Sequence, residues 1–467
     1  MSVSAEQVLK ITRALKGFDP HERRPLTAYL ADIPRLDSLA DLGNGTPVLV
    51  RGDVDAKVGE KLGDGDIRLR SMQETLEFGR SRGWKQIVFG HLGRKQEGKP
   101  AKSLTKVAQR LGQILGCEVP LIRDWLDEAS GPANPHVKPH VQQQIGAAAP
   151  GSVLMLENVR EYALEVALWK ATEEELPALA SRLAALANCL AQEVAVHYVN
   201  EALSAGSLDA SSTVVPLAMR RAVLGKYIAR EFEGPLLDCM KAKLVVFSGI
   251  KIDKLDDLEA MIDRGTIRTV LSAGSLAMAL KKAEALNAGR KFCLGATEDP
   301  ANEGQSFYIG PERIEQAGRM LAAGKTQGIE FVLPVDFKLE DERVVEVLAP
   351  TDQQFDIGPQ TIALFEQKVG RFIEANRGQS ATVFYNGVFG MFEDARFAAG
   401  TKAFIAQLKR MKDAGLSVYV GGGEGGTALE QYGRLEWVTH CFTAGGTVLN
   451  ALGAEPVPYL VALRAAQ

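Results

Sequence analysis

The side chains best suited to chemistry in the first half of the chain stand after short apolar runs. Arg51, Asp53 and Asp55 follow TPVLV, Arg68 and Arg70 lie in GDIRLR, His91 and Arg94 in GHLGRK, and Arg160 in ENVR. Arginine forks match carboxylate and phosphate, so their recurrence points to a small anionic ligand. Singly, each arginine reads equally well as the partner of a neighbouring acid. Asp53 and Asp55 in particular read also as orienters of Arg51 or Arg68 that touch no substrate. The clustering argues more than any one member.

The second half places glycine and uncharged groups at the corresponding positions: SGIKIDK, SAG, YNG and GGGEGG. Glycine lets a backbone approach a phosphate, and amides at a helix N-terminus hold it. Lys251 and Lys254 then read as neutralisers of phosphate charge, or as solvated loop lysines. Gly421, Gly423 and Gly426 satisfy the G-x-G-x-x-G pattern, with strand-like LSVYV before and TALEQYG after. That turn comes late in a second α/β half, not in an opening βαβ unit, which argues against a nicotinamide cofactor. Neither G-x-x-x-x-G-K-[ST] nor the HRD and DFG pair of protein kinases occurs. One half for an anion and one for a nucleotide fit phosphoryl transfer. That reaction needs positioning, charge neutralisation and water exclusion, which closure of two domains would supply.

The elements that must hold these residues recur along the chain. WKQIVFGH, SVLMLEN and VAVHYVNE continue the first set; KLVVFSG, RTVLSAG, RKFCLG, IEFVLPVDF, ATVFYNG and LSVYVGGG form the second. Each is a short strand-like run followed by a helical pattern, as in parallel sheets covered on both faces. The expected fold is α/β, with two doubly wound, Rossmann-like parallel-sheet domains joined by a connector helix, and 467 residues suit two cores. The expected divisions are an N-terminal extension over 1–45, an acceptor-substrate domain over 46–215, the connector helix over 216–235, a nucleotide domain over 236–448, and a tail over 449–467 that docks back on the first domain.

A formal net charge of −4, with 24% charged residues, advertises neither nucleic acid nor an anionic membrane as partner. No run approaches the length of a membrane helix, and MSVSAEQVLKITRALKG lacks a secretory core, so the expected setting is cytoplasmic. The five scattered cysteines read as reduced and mostly buried, and His136 and His140 as exposed loop histidines rather than metal ligands.

Taken in order, TPVLVRGDVDAK, GDIRLR, GHLGRK, LMLENVR, YVNEALSAGSLDASST, SGIKIDK, LPVDF, DIGPQT, FYNGVFGMFE, GGGEGGTALEQYG and HCFTAGG resemble phosphoglycerate kinase, over roughly residues 38–462. The resemblance implies Mg²⁺-dependent transfer from ATP to a carboxylate, giving an acyl phosphate, or the reverse, by a monomer. It puts Asp53, Asp55, Arg68, His91, Arg94 and Arg160 on the acceptor, with Arg68 and Lys251 at the transferring group. Lys251, Lys254, Gly274, Asn386, Glu393, Gly421, Gly422, Gly423 and Glu424 fall to the nucleotide, Gly445 and Gly446 to a phosphate loop, and Glu424 to the metal.

Departures from that pattern are concentrated in EALSAGSLDASS. Leu208 stands where the family has an arginine, and Ser207 and Ala210 where it has histidines. Losing that guanidinium forfeits a charge-assisted bond of order 1.5 to 3 kcal/mol. Asp55 replaces an asparagine and suits a hydroxyl or amine better than an anion. Glu424 and Gly425 replace aspartate and threonine at the metal end, leaving Thr427 as a substitute hydroxyl, and Ser272 and Ala273 replace glycines. The expected protein is therefore a carboxylate kinase whose acceptor differs from 3-phosphoglycerate. A glycolytic phosphoglycerate kinase and a catalytically idle nucleotide-binding relative are the alternatives.

Overall fold

The computed structural model describes residues 2–19, 25–63, 65–95, 98–128, 135–453 and 456–467. It divides into two compact units, one of Met1–Glu233 with Pro456–Gln467 and one of Gly234–Glu455.

The first unit is built on six parallel strands in the spatial order Leu121–Ile122, Val153–Leu156, Lys85–Phe89, Pro47–Gly52, His197–Glu201 and Arg221–Leu224. Val48, Leu49, Val50, Ile87 and Val88 are sealed from water. Burial on both faces is why these strands read as unbroken apolar runs instead of alternating ones. The chain order reverses at Pro47–Gly52, so the crevice expected for a ligand opens where Arg51, Asp53 and Asp55 leave that strand.

The second unit repeats the device: Glu330–Val332, Thr269–Ala273, Ala242–Gly249, Thr382–Asn386, Ser417–Val420 and His440–Cys441, all parallel. In chain order this is 3-2-1-4-5-6, with the reversal between Ala242–Gly249 and Thr382–Asn386. A three-stranded antiparallel sheet, Val344–Val345, Phe337–Leu339 and Gln354–Ile357, accompanies it.

Four readings of the sequence need correction. Residues 216–235 are not one connector helix: a 3-10 turn at Val215–Ala218 leads into the strand Arg221–Leu224, and only Lys226–Glu233 is helical before Pro235 starts the next helix. RAVL pairs with His197–Asn200 and buries Ala222, Val223 and Leu224 at the sheet edge, a tertiary reward that helix propensity does not reveal. RKFCLG forms no strand; the Phe292 carbonyl accepts from Lys282 and the Leu294 amide donates to Glu298, so its backbone groups serve side chains. His136 lies in a short strand and His140 in the helix Pro139–Ala147, where proline suits the first turn. All five cysteines are free, but only Cys189 and Cys239 are buried.

Within the expected extension, residues 1 and 20–24 lie outside the described ones. The helix Ala5–Leu15, closed by a Ser4–Gln7 capping box, packs on Leu176–Glu193, and the backbone of Val3 exchanges hydrogen bonds with the Asn188 amide. The helix Gly445–Leu452 runs through the expected boundary at 449, and Pro458–Ala465 then packs against the first unit. Among the described residues no helix is long and apolar enough to cross a membrane.

Candidate functional site

In the first unit, Arg51, the penultimate residue of its strand, is wholly buried. Its Nε donates to Ser211 Oγ at 2.9 Å, Nη1 to the Gly52 carbonyl at 2.9 Å, and Nη2 lies 2.8 Å from His91 Nδ1. Because a guanidinium only donates, Nδ1 is the acceptor and the ring proton sits on Nε2. His91 is therefore the neutral imidazole, and burial, with Arg51, Arg160 and Arg68 nearby, holds its pKa well below the usual histidine value.

Arg160 sits in the 3-10 turn Val159–Glu161, capped by Asn158. Its Nη1 donates to the Gly93 carbonyl at 2.7 Å, Nη2 to Asp209 Oδ2 at 3.2 Å, and its guanidinium lies 4.8 Å from the Trp169 ring centroid. Asp209 is the hub. Besides Arg160 it lies 3.7 Å from Arg51 Nη2, faces His91 Nδ1 at 3.4 Å, and accepts from Trp169 Nε1 at 3.0 Å, with no exposure of its own. Glu165, buried beside it, accepts from the hydroxyl and amide of Ser211 at 2.6 and 2.9 Å, and burial, reinforced by Asp209, pushes its pKa up to about 7.

The remaining expected acceptor residues form the rim. Arg68, on Ile67–Ser71, donates to the Asp55 carboxylate at 2.8 Å and to its carbonyl at 2.7 Å. The other Asp55 oxygen accepts the Gly93 amide at 2.8 Å, so this carboxylate ties the helix to the GHLG loop. Asp53 accepts from Ser204 Oγ at 2.7 Å and lies 3.9 Å from Arg68, and burial raises its pKa. Six expected residues thus share one region, yet only Arg68, Asp55 and Arg94 reach solvent to any extent. Arg94 is exposed and has no hydrogen-bond or ion-pair partner among the described residues.

Sequence reading missed Asp209, Glu165, Trp169, Ser204 and Ser211. The one signal lay in the departing stretch itself: Asp209 stands between Leu208 and Ala210, so a carboxylate is gained where a guanidinium and two imidazoles are lost. Also missed was Glu201, buried at its strand end, which accepts from Thr75 Oγ1 at 2.6 Å and the Tyr227 amide at 3.0 Å; burial raises its pKa to about 7.

The second unit brings its expected residues around two cavities. One, of about 500 Å³, is walled by Lys251, Lys254, Asn386, Gly422, Gly423, Glu424, Gly445 and Gly446. The other, of about 220 Å³, carries Gly274, Glu393 and Glu424 with the apolar Phe307, Phe355, Val388 and Met391. The helix Glu424–Tyr432 starts from Gly423 at φ 71°, and Gly445–Leu452 starts on the same wall, so two helix N-termini border one cavity. A side chain at Gly422 would collide with the Phe442 carbonyl, and one at Gly274, at φ +65°, with the Gly249 carbonyl. These walls are therefore made of backbone. Gly421 is not on the wall; it leaves room for the buried Asn386 amide behind it.

Lys251 is exposed and has no partner among the described residues. Lys254 Nζ lies 3.4 Å from the Ser248 carbonyl, and burial lowers its pKa against the opposing pull of Glu424. No group of three or more His, Cys, Asp or Glu side chains among the described residues is arranged for a metal ion. A lone exposed carboxylate such as Glu424 fits Mg²⁺, which takes one or two carboxylates and fills its shell with water and phosphate oxygens.

Two doubly wound units with these strand ends have counterparts among solved structures. A crystal structure of phosphoglycerate kinase from Pyrococcus horikoshii OT3 matches with a TM-score of 0.68 at 23% identity, covering 92% of this chain and 98% of that one. The enzyme from Coxiella burnetii matches with a TM-score of 0.63 at 22% identity, over 92% and 98%. These likenesses establish the fold. By sequence, the cytosolic phosphoglycerate kinase 3 of Arabidopsis thaliana is 28% identical over 439 residues, 91% of this chain and 96% of the relative. Phosphoglycerate kinase of Synechococcus sp. (strain WH7803) is 29% identical over 447 residues, 91% and 98%. The family model described as phosphoglycerate kinase matches residues 39–455. The chain belongs to the phosphoglycerate kinase family, a family of ATP-dependent phosphotransferases.

Proposed function

We propose that this protein is a phosphotransferase that moves the γ-phosphoryl group of ATP to a carboxylate, or an acyl phosphate's phosphoryl group to ADP, with an acceptor other than 3-phosphoglycerate. The observation that carries this reading is the contrast at the strand ends: a backbone-walled cavity with Lys251 free in one unit, and in the other an arginine cluster already neutralised by Asp209.

In this reading residues 46–215 hold the acceptor and 236–448 the nucleotide. The amides that begin Glu424–Tyr432 and Gly445–Leu452 bind phosphate oxygens, and the apolar 220 Å³ cavity takes the base. Bound Mg²⁺ would neutralise phosphate charge, with Glu424 as its protein ligand. Lys251 and Arg68 oppose the charge that develops on the transferring group, so their contribution belongs to turnover more than to nucleotide affinity. Arg94 and Arg68 present the guanidinium forks for the acceptor carboxylate. A cytoplasmic setting is part of the proposal, supported by the cytosolic relatives of Arabidopsis and wheat, and so is a monomer.

The test is a panel of carboxylic acids, phosphonates included, incubated with ATP, Mg²⁺ and hydroxylamine. An acyl hydroxamate from an acid other than 3-phosphoglycerate is the expected result, and none from any acid sinks the proposal. The names of the relatives favour a second reading, a glycolytic phosphoglycerate kinase. Rapid turnover of 3-phosphoglycerate would establish it.

A further inference from the structure

We propose that Asp209 is a built-in counter-anion that sets acceptor specificity: its carboxylate occupies the place of a substrate anion among Arg51, Arg160 and His91, so the first unit takes a monocarboxylate with an uncharged, apolar far end and turns away a phosphate-bearing one. The inference rests on the reading of this unit as the acceptor site.

Three observations carry it. Asp209 is wholly buried and engages both arginines, at 3.2 Å to Arg160 and 3.7 Å to Arg51, and its second oxygen accepts from Trp169 Nε1 at 3.0 Å. Its backbone is tied down, because its carbonyl accepts from the Thr213 and Ser212 hydroxyls at 2.8 and 3.1 Å. Beside this charged cluster stand two apolar side chains: Leu208, the preceding residue, is half-buried, and the Trp169 indole is 37% exposed with the Arg160 guanidinium over its ring. An incoming phosphate would have to displace a tethered carboxylate whose effective concentration beside the arginines far exceeds that of any dissolved anion. An uncharged end pays no such competition and gains contact with Leu208 and the indole.

The experiment uses the full chain without nucleotide, with inorganic phosphate and 3-phosphoglycerate as probes in calorimetry. Asp209→Asn, which keeps the shape and removes the charge, should tighten both at least tenfold over the wild type. Leu208→Arg alone should change affinity less than threefold, and combined with Asp209→Asn should add a further tenfold. Asp209→Ala tests the same vacancy through stability: phosphate or acetate should raise its melting temperature and leave that of the wild type unmoved. Equal affinity of wild type and Asp209→Asn overturns the proposal, as does full recovery of 3-phosphoglycerate binding by Leu208→Arg alone. Neither binding readout involves transfer. Failure of hydroxamate trapping with the tightening intact would sink the assigned reaction and leave the counter-anion standing, and the reverse pattern would do the opposite.

Discussion

The two units use the same sheet architecture and treat charge in opposite ways. At the strand ends of the first, arginines and carboxylates satisfy one another, and Arg51, Asp53 and Asp209 are closed to solvent. At those of the second, the walls are glycine backbone, and Lys251 and Glu424 stand exposed. A charge paired within the fold is held there and costs stability when its partner is removed, while a charge left open is available to a ligand. The residue types at strand ends therefore locate a site, but only their partners say whether it is open.

Variants can break this comparison. The largest expected effect is Asp209→Ala, which leaves two buried guanidiniums without their counter-charge and should cost about 3 to 5 kcal/mol in chemical denaturation. A loss below about 1 kcal/mol would mean the cluster is less closed than the geometry indicates. Lys251→Ala should do the converse, lowering turnover by on the order of 10² to 10³ with little change in stability or nucleotide affinity. Steady-state kinetics beside a melting curve separates the two, and full turnover would end the role given to Lys251.

A third expectation concerns pH. Glu201 titrates at about 7 in the fold against 4.5 for a free glutamate, so the folded chain holds its proton more tightly. The stability this group contributes is then fully present below about pH 4.5 and falls as pH rises toward 7, by roughly 1.4 kcal/mol per pH unit. Glu201→Gln should remove one group's worth of that slope, leaving the shares of Glu165 and Asp356, which burial also pushes up; denaturation across pH 5 to 7 would read it. The smallest effect belongs to Arg94→Ala, expected within about 0.5 kcal/mol of wild type in stability and visible only as weaker acceptor binding.

The sheets were legible because their strands are buried on both faces and end in glycine or a polar residue, a pattern local to each run. RAVL and RKFCLG mark where local reading stops: the first is a strand because an edge was free to receive it, the second a loop because side chains claimed its backbone. The cavity walls of the second unit were legible for a related reason, since glycines that wall a cavity announce themselves by type. Asp209 was not, because its meaning lies in Arg160, 49 residues away, and in Arg51 and His91, farther still. A motif records what a position has lost relative to its family more readily than what a neighbouring position has gained.

The return of Pro458–Ala465 to the first unit has a consequence for synthesis. Tyr459, Leu460, Ala462 and Leu463 are buried, Arg464 pairs with Asp32 at 2.7 Å, and the Gln467 side chain reaches the Ala222 carbonyl. Domains generally fold as they leave the ribosome, amino-terminal first. Here the second unit is one continuous segment, while the first has an apolar face that stays uncovered until Pro458–Ala465 has been made. A released chain cut back to residue 455 should keep a protease-resistant second unit beside a first unit that is readily cut.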